Sequence, residues 1–184
     1  MSNLMGKIKR IHHVAYRCKD AKETVLWYER MLGMTFQLAF SEDHVPSTGA
    51  LDPYMHVFLD AGAGNVLAFF ELPEQPNMGR DENTPAWVQH IAFEVADRPE
   101  LERQKAYLEA QGLDVIGITN HGAFHSIYFF DPNGHRLELA YRDANEAAIH
   151  QQLDAVKWDM LNEWSITKRA PKQGLNHATF LRMD

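Results

Sequence analysis

The chain contains itself twice, and that repeat restricts its fold more than any other feature. Ile11-His12-His13-Val14-Ala15-Tyr16-Arg17-Cys18-Lys19-Asp20 reads against Val88-Gln89-His90-Ile91-Ala92-Phe93-Glu94-Val95-Ala96-Asp97. In both, a histidine is followed by an aliphatic residue, an alanine and an aromatic, with an aspartate seven positions after the histidine. Each aspartate opens a helical pattern, Ala21 to Leu32 and Pro99 to Gln111, where its carboxylate can accept from first-turn amides. Gly33 and Gly112 then supply the left-handed residue that ends a helix. Three strand patterns follow in each half: Met34 to Phe40, Tyr54 to Asp60 and Val66 to Leu72, then Asp114 to Thr119, Ser126 to Phe130 and Arg136 to Arg142.

The expected fold is therefore α+β, with two tandem βαβββ modules in residues 1–142. Module one covers about 8–72 and module two about 88–142. Pro73 to Pro85, with three prolines, marks the linker assigned to 73–87. An amphipathic stretch from Asp143 to about Trp164 predicts a helix in a C-terminal extension, 143–184.

Alternation along a strand sorts side chains onto two faces. Val14, Tyr16 and Cys18 form an apolar back, as do Ile91, Phe93 and Val95. His13, Ala15 and Arg17 point to the front, as do His90, Ala92 and Glu94. In the last strand Glu138 and Ala140 share the front, while Leu137, Leu139 and Tyr141 share the back. The sheets are expected to curve into a barrel-like mixed sheet with the fronts inside. An ionisable interior is costly unless its groups are paired or bind something, and a metal would resolve the conflict.

Composition excludes several function classes. A content of 45% hydrophobic and 23% charged residues suits a packed core. The net charge of −7, with no run of Lys and Arg interleaved with aromatics, argues against a nucleic-acid surface. The cluster Lys168, Arg169 and Lys172 reads as a solvated end. The single cysteine, Cys18, rules out an internal disulfide and suits the cytoplasm. No apolar run approaches the roughly 20 residues of a membrane span, and Met1 to Arg10 lacks the apolar region of a signal peptide.

With these residues in view, the chain is similar to the vicinal oxygen chelate superfamily. That group includes glyoxalase I, methylmalonyl-CoA epimerase, fosfomycin resistance proteins and extradiol ring-cleavage dioxygenases. The resemblance covers about 8–142 and rests on the two His-led strands and on Tyr128-Phe129-Phe130-Asp131-Pro132-Asn133-Gly134-His135-Arg136-Leu137-Glu138. It implies a divalent metal on His13, His90 and Glu138. Two imidazoles and one carboxylate with open positions suit Fe(II) and are compatible with Mn, Ni or Zn. The glyoxalase pattern adds a glutamate late in module one, where this chain aligns Ala68; Glu71, three residues on, falls on the opposite face.

The pattern is most similar to one-domain extradiol dioxygenases, which implies Tyr128 and His121 (or His125) as catalytic groups near a catechol-like diol. It also implies an acid–base histidine where this chain has Asn65, so His56 or another histidine would have to substitute. The alternatives are a lyase, isomerase or thiol transferase using the metal as a Lewis acid, with Glu71 as first candidate base, and a non-catalytic bleomycin-resistance-type binding protein. The expected partner is a small-molecule substrate, with a homodimer common in proteins of this resemblance. His12 lies on the wrong face by alternation, and His44, His150 and His177 read as surface residues.

Overall fold

The computed structural model describes residues 8–171; Lys172 and His177 lie outside them. Module one contains β1 (Val14–Cys18), α1 (Ala21–Leu32), β2 (Thr35–His44), β3 (Leu51–Asp60) and β4 (Val66–Glu71). Module two repeats the series as β5 (His90–Glu94), α2 (Arg98–Ala110), β6 (Ile116–Asn120), β7 (Phe124–Phe130) and β8 (Arg136–Arg142), followed by α3 (Glu146–Thr167). The two sheets have the orders β1-β4-β3-β2 and β5-β8-β7-β6. In each, the first strand runs parallel to the last and the other pairs are antiparallel. The strands thus make two four-stranded mixed sheets and not the closed barrel that curvature alone would suggest.

Local chemistry explains the elements. Asp20 accepts from the Glu23 amide at 2.7 Å and Asp97 from the Glu100 amide at 2.8 Å, capping α1 and α2. Gly33 ends α1 at φ 63°, with its N–H on the Glu29 carbonyl. α1 buries Ala21, Thr24, Val25, Tyr28 and Met31, a stripe at helical spacing. Leu59, Leu67 and Phe69 supply buried apolar surface on the strands of the same unit. Each such fully buried side chain contributes about 1.5–3 kcal/mol.

Two boundaries differ from expectation, for physical reasons. β2 runs on to His44, because Ser41-Glu42-Asp43 carries no apolar alternation on an edge strand whose residues are all exposed. β3 starts at Leu51, ahead of Pro53, and the pairing with β2 is irregular between Glu42 and His44. A proline without an N–H belongs at such an interruption. α3 buries Ile149, which packs with Ala123, Phe124 and Leu153. Among the described residues no helix is long and apolar enough to cross a membrane.

The chain divides into two compact units at Thr84/Pro85, with one exchange: Asp131–His135, the turn between β7 and β8, groups with the first unit. Its bonds there are numerous. Asp131 is buried and accepts from the Tyr28 hydroxyl at 3.0 Å, the Asn133 amide at 2.9 Å, the Asn133 side chain at 3.0 Å and the His135 amide at 2.8 Å. Asn133 also donates to Thr24 and accepts from the Lys19 amide at 2.9 Å. The His135 ring lies 2.7 Å from the Arg17 carbonyl. Burial, and then the Asp131 carboxylate, push the Tyr28 hydroxyl well above its ordinary pKa.

Candidate functional site

In the second unit the register puts Ala92, Glu138, Tyr128 and Ile116 in one row across the sheet. Residues two positions away share that face, which adds His90, Ser126 and Arg136. Glu138 is 3% exposed. Its Oε1 accepts from the hydroxyls of Ser126 and of Tyr128, the latter at 3.1 Å, and its Oε2 lies 3.0 Å from His90 Nε2.

The hydrogen bonds of His90 define what that last contact means. Its Nδ1 lies 2.9 Å from the Val88 carbonyl, which can only accept, so Nδ1 carries the proton. Nε2, the other ring nitrogen, faces a carboxylate oxygen. Two acceptors hold that separation only with a positive charge between or on them, either a second ring proton or a metal ion. The donor set therefore fits a divalent metal, and the Val88 bond is the kind of outer contact that fixes a ligating histidine.

Tyr128 links this pair to His121. With its proton directed to Glu138, the hydroxyl oxygen accepts from His121 Nε2 at 2.8 Å. Burial first, and the Glu138 charge second, raise the Tyr128 pKa above 10.0. The Arg136 guanidinium lies 4.1 Å over the Tyr128 ring centroid, a cation–π contact. Sequence reasoning missed Ser126 and Arg136, although alternation puts both on the front: Ser126 is two residues before Tyr128 and Arg136 two before Glu138. His125 is turned to the other face, stacked on Tyr141 with centroids 5.1 Å apart and its Nδ1 3.4 Å from Asp143. It is not the partner of Tyr128.

The first unit repeats the pattern with a different outcome. Ala15 pairs with Ala68 as Ala92 pairs with Glu138, so an alanine stands where the second unit has its carboxylate. Glu71 pairs with Cys18, and its carboxylate accepts from the Ala21 amide at 2.7 Å at the start of α1. Asn65 donates to the Gly62 carbonyl inside its own turn. His13 Nδ1 lies 2.9 Å from His12 Nδ1. His44 and His150 are exposed. Among the described residues no three His, Cys, Asp or Glu side chains gather as a metal-binding group; the assembled pair is His90 and Glu138.

His56 lies on β3, 5% exposed, with its pKa lowered from 6.5 to about 4 by burial first and by His13 second. Folding therefore favours the neutral ring. As pH falls from 6.5 to 4 the unfolded chain takes up a proton that the folded one refuses, and stability is lost across that window. At pH 5 the loss is about 2 kcal/mol. Urea midpoints at pH 7.5 and pH 5 are expected to show the His56→Phe variant losing less than wild type by that amount; equal losses would refute the assignment.

Comparison with known proteins follows this geometry. Residues 10–139 match the model of the Glyoxalase/Bleomycin resistance protein/Dioxygenase superfamily. A Bacillus subtilis (strain 168) protein named "Putative ring-cleaving dioxygenase MhqA" is 31% identical over 98 residues, which are 53% of this chain and 31% of that protein. The match thus spans less than a third of the relative's length. A glyoxalase family protein from Enterococcus faecalis superposes with a TM-score of 0.54 at 25% identity, over 72% of this chain and 97% of its own. A mutant of the fosfomycin resistance protein FosX from Listeria monocytogenes, complexed with Mn(II) and 1S,2S-dihydroxypropylphosphonic acid, shares the fold. Its TM-score is 0.54 at 18% identity, over 77% of this chain and 99% of its own.

Proposed function

The chain belongs to the glyoxalase/bleomycin resistance protein/dioxygenase superfamily, and from that premise we propose that it is a metal-dependent, extradiol-type ring-cleavage dioxygenase acting on a catechol-like diol. The observation that carries this reading is the hydrogen-bonded chain His121–Tyr128–Glu138 beside His90. The name of the Bacillus subtilis relative supports the same reaction. His90 and Glu138 are the metal ligands in the second unit, and His13, at the matching repeat position, is the third. Fe(II) is the expected ion; the FosX mutant holds Mn(II) in the same fold.

When bound, such an ion would act as a Lewis acid for the diol oxygens and would relay electrons from the diol, which is the reductant, to dioxygen. The chain's own groups handle the protons. Ser126 and Tyr128 both donate to Oε1 of Glu138, which fixes the carboxylate and leaves Oε2 as the ligand atom. Tyr128 keeps its proton at neutral pH, and its hydroxyl, turned from Glu138 to a bound oxygen that gains charge during the reaction, would stabilise that oxygen. His121, which donates from Nε2 to the Tyr128 oxygen, can return a proton through it. The lyase or isomerase alternative draws on Glu71 as base, yet that carboxylate is engaged at the Ala21 amide.

The test is metal content of protein purified anaerobically, then oxygen uptake on a panel of catechols. Iron near one per chain with oxygen uptake supports the reading; nickel or zinc with none points to the lyase branch. Within this reading Tyr128→Phe is expected to retain metal and lower kcat by about 100-fold, the usual scale of a lost acid–base or oxyanion contact. Unchanged kcat would remove Tyr128 from the chemistry.

A further inference from the structure

The front of the first unit's sheet holds a ring cluster that neither the ligand pair nor the Tyr128 chain uses. Tyr54, His56 and Phe58 alternate along β3, and the register sets Phe40 and Phe70 on either side of His56. His56 stacks on Phe70 with centroids 3.5 Å apart and planes 20° from parallel. It lies 4.2 Å from Phe58 and 5.1 Å from Phe40. Phe58 is in turn 5.8 Å from the ring of His13.

Within this cluster His56 Nε2 is buried without a hydrogen-bond partner. Leaving a buried polar atom unpaired costs about 1–3 kcal/mol, and such atoms in folded proteins call for an explanation. A bound molecule that supplies the partner is one. Flanking rings favour an aromatic guest, through stacked and edge contacts. Phe40 is 47% exposed on the edge strand, so its rotation is the simplest way to uncover the nitrogen. Charges of both signs border this face: Glu42, paired in register with Tyr54, and Arg17, paired in register with Phe70. Arg17 Nη2 donates to the carbonyls of Leu72 and Pro76, and its Nε is buried without a hydrogen-bond partner.

We propose that this face is the ring-binding subsite of the substrate, and that His56 selects a catechol carrying a further hydrogen-bonding group, such as a hydroxyl, over one carrying an alkyl group. The inference rests on the ring-cleavage reading and extends it to substrate class. A polar site rejects an analogue that lacks its hydrogen-bonding group more strongly than an apolar site rejects a size mismatch.

The experiment titrates the full chain, anaerobically and without added metal, with benzene-1,2,4-triol and with 4-methylcatechol, which exchange a hydroxyl for a methyl. Wild type is expected to bind the triol about tenfold or more tightly, the equivalent of one satisfied buried hydrogen bond. His56→Phe keeps the stack on Phe70 and deletes the nitrogen; it is expected to raise the triol Kd and bring the ratio near one. His56→Gln is expected to restore part of the preference. An unchanged ratio in His56→Phe, or no binding of either compound, overturns the proposal. Should neither variant fold, the ring-nitrogen NMR resonances of His56 in wild type decide, a shift on adding triol supporting the contact and none overturning it. A His56-dependent preference without oxygen uptake by the iron-loaded protein keeps the subsite and removes the ring-cleavage reading; oxygen uptake indifferent to His56 does the reverse.

Discussion

Glu138→Ala is expected to empty the metal site and abolish oxygen uptake while leaving the fold intact. Contacts to the outer side of a metal ligand are worth about 10–100-fold in affinity, and loss of the ligand itself is expected to cost more. Glu138 is suited to this test because both oxygens are committed, Oε1 to the hydroxyls of Ser126 and Tyr128 and Oε2 to His90. Alanine removes charge and ligand together; Glu138→Gln removes the charge and keeps an oxygen for the two hydroxyl donors. A readout independent of turnover comes from linkage. A metal at 100 times its Kd stabilises the folded state by about 2.7 kcal/mol, so adding Fe(II) or Mn(II) is expected to raise the wild-type Tm and leave Glu138→Ala unmoved. A variant that binds metal as wild type does would sink the site. Ser126→Ala, which frees one lone pair of the same oxygen, is expected to fall between them.

Asp131→Ala is the substitution expected to cost most in stability. The buried carboxylate accepts four hydrogen bonds, from the Tyr28 hydroxyl, the Asn133 amide and side chain, and the His135 amide. Alanine takes that acceptor from the Tyr28 hydroxyl and the two turn amides, with the Asn133 side chain keeping Thr24, and removing the centre of a buried charged network costs about 3–5 kcal/mol. For a chain of this size that lowers Tm by roughly 10 °C. Asp131→Asn keeps one carbonyl oxygen for the turn amides and is expected to lose about half as much. Urea denaturation of both variants checks the order; a loss below about 1 kcal/mol for Asp131→Ala would mean that water replaces the carboxylate at those donors.

Most of the fold was legible because it is written twice. The capping aspartates, the helix-ending glycines and the strand alternation each occur in both halves, and each confirms the other's register. What escaped was set by tertiary context. The run of β2 past Phe40 carries polar residues because an edge strand with both faces open has no apolar side to reveal. Pro53 hid the start of β3, since it lies at an irregular pairing and not at a strand end. In the site, alternation was enough to pair Tyr128 with Glu138 and to put Glu71 on the face opposite Ala68. It could not separate His121 from His125, because loop residues have no period to follow. It gave no reason to single out Arg136, whose part in the site is a contact over a ring and not a position in a motif. His56 was visible only as a substitute for Asn65; its significance comes from the neighbours that bury it.

The assignment of Asp131–His135 to the first unit has a consequence for the order in which the protein is made. The first unit's own strands and helix have left the ribosome by Thr84, but the turn that accepts the Tyr28 hydroxyl and the Lys19 amide is synthesised roughly fifty residues later. At 5–20 residues per second the nascent chain waits roughly 3 to 10 seconds with those donors unmatched. A gene fragment stopped at the linker would prolong that wait indefinitely, so the two halves of this duplicated sequence are not separable cassettes. Duplication gave the chain two similar modules, and the wandering turn has since made one of them dependent on the other's message.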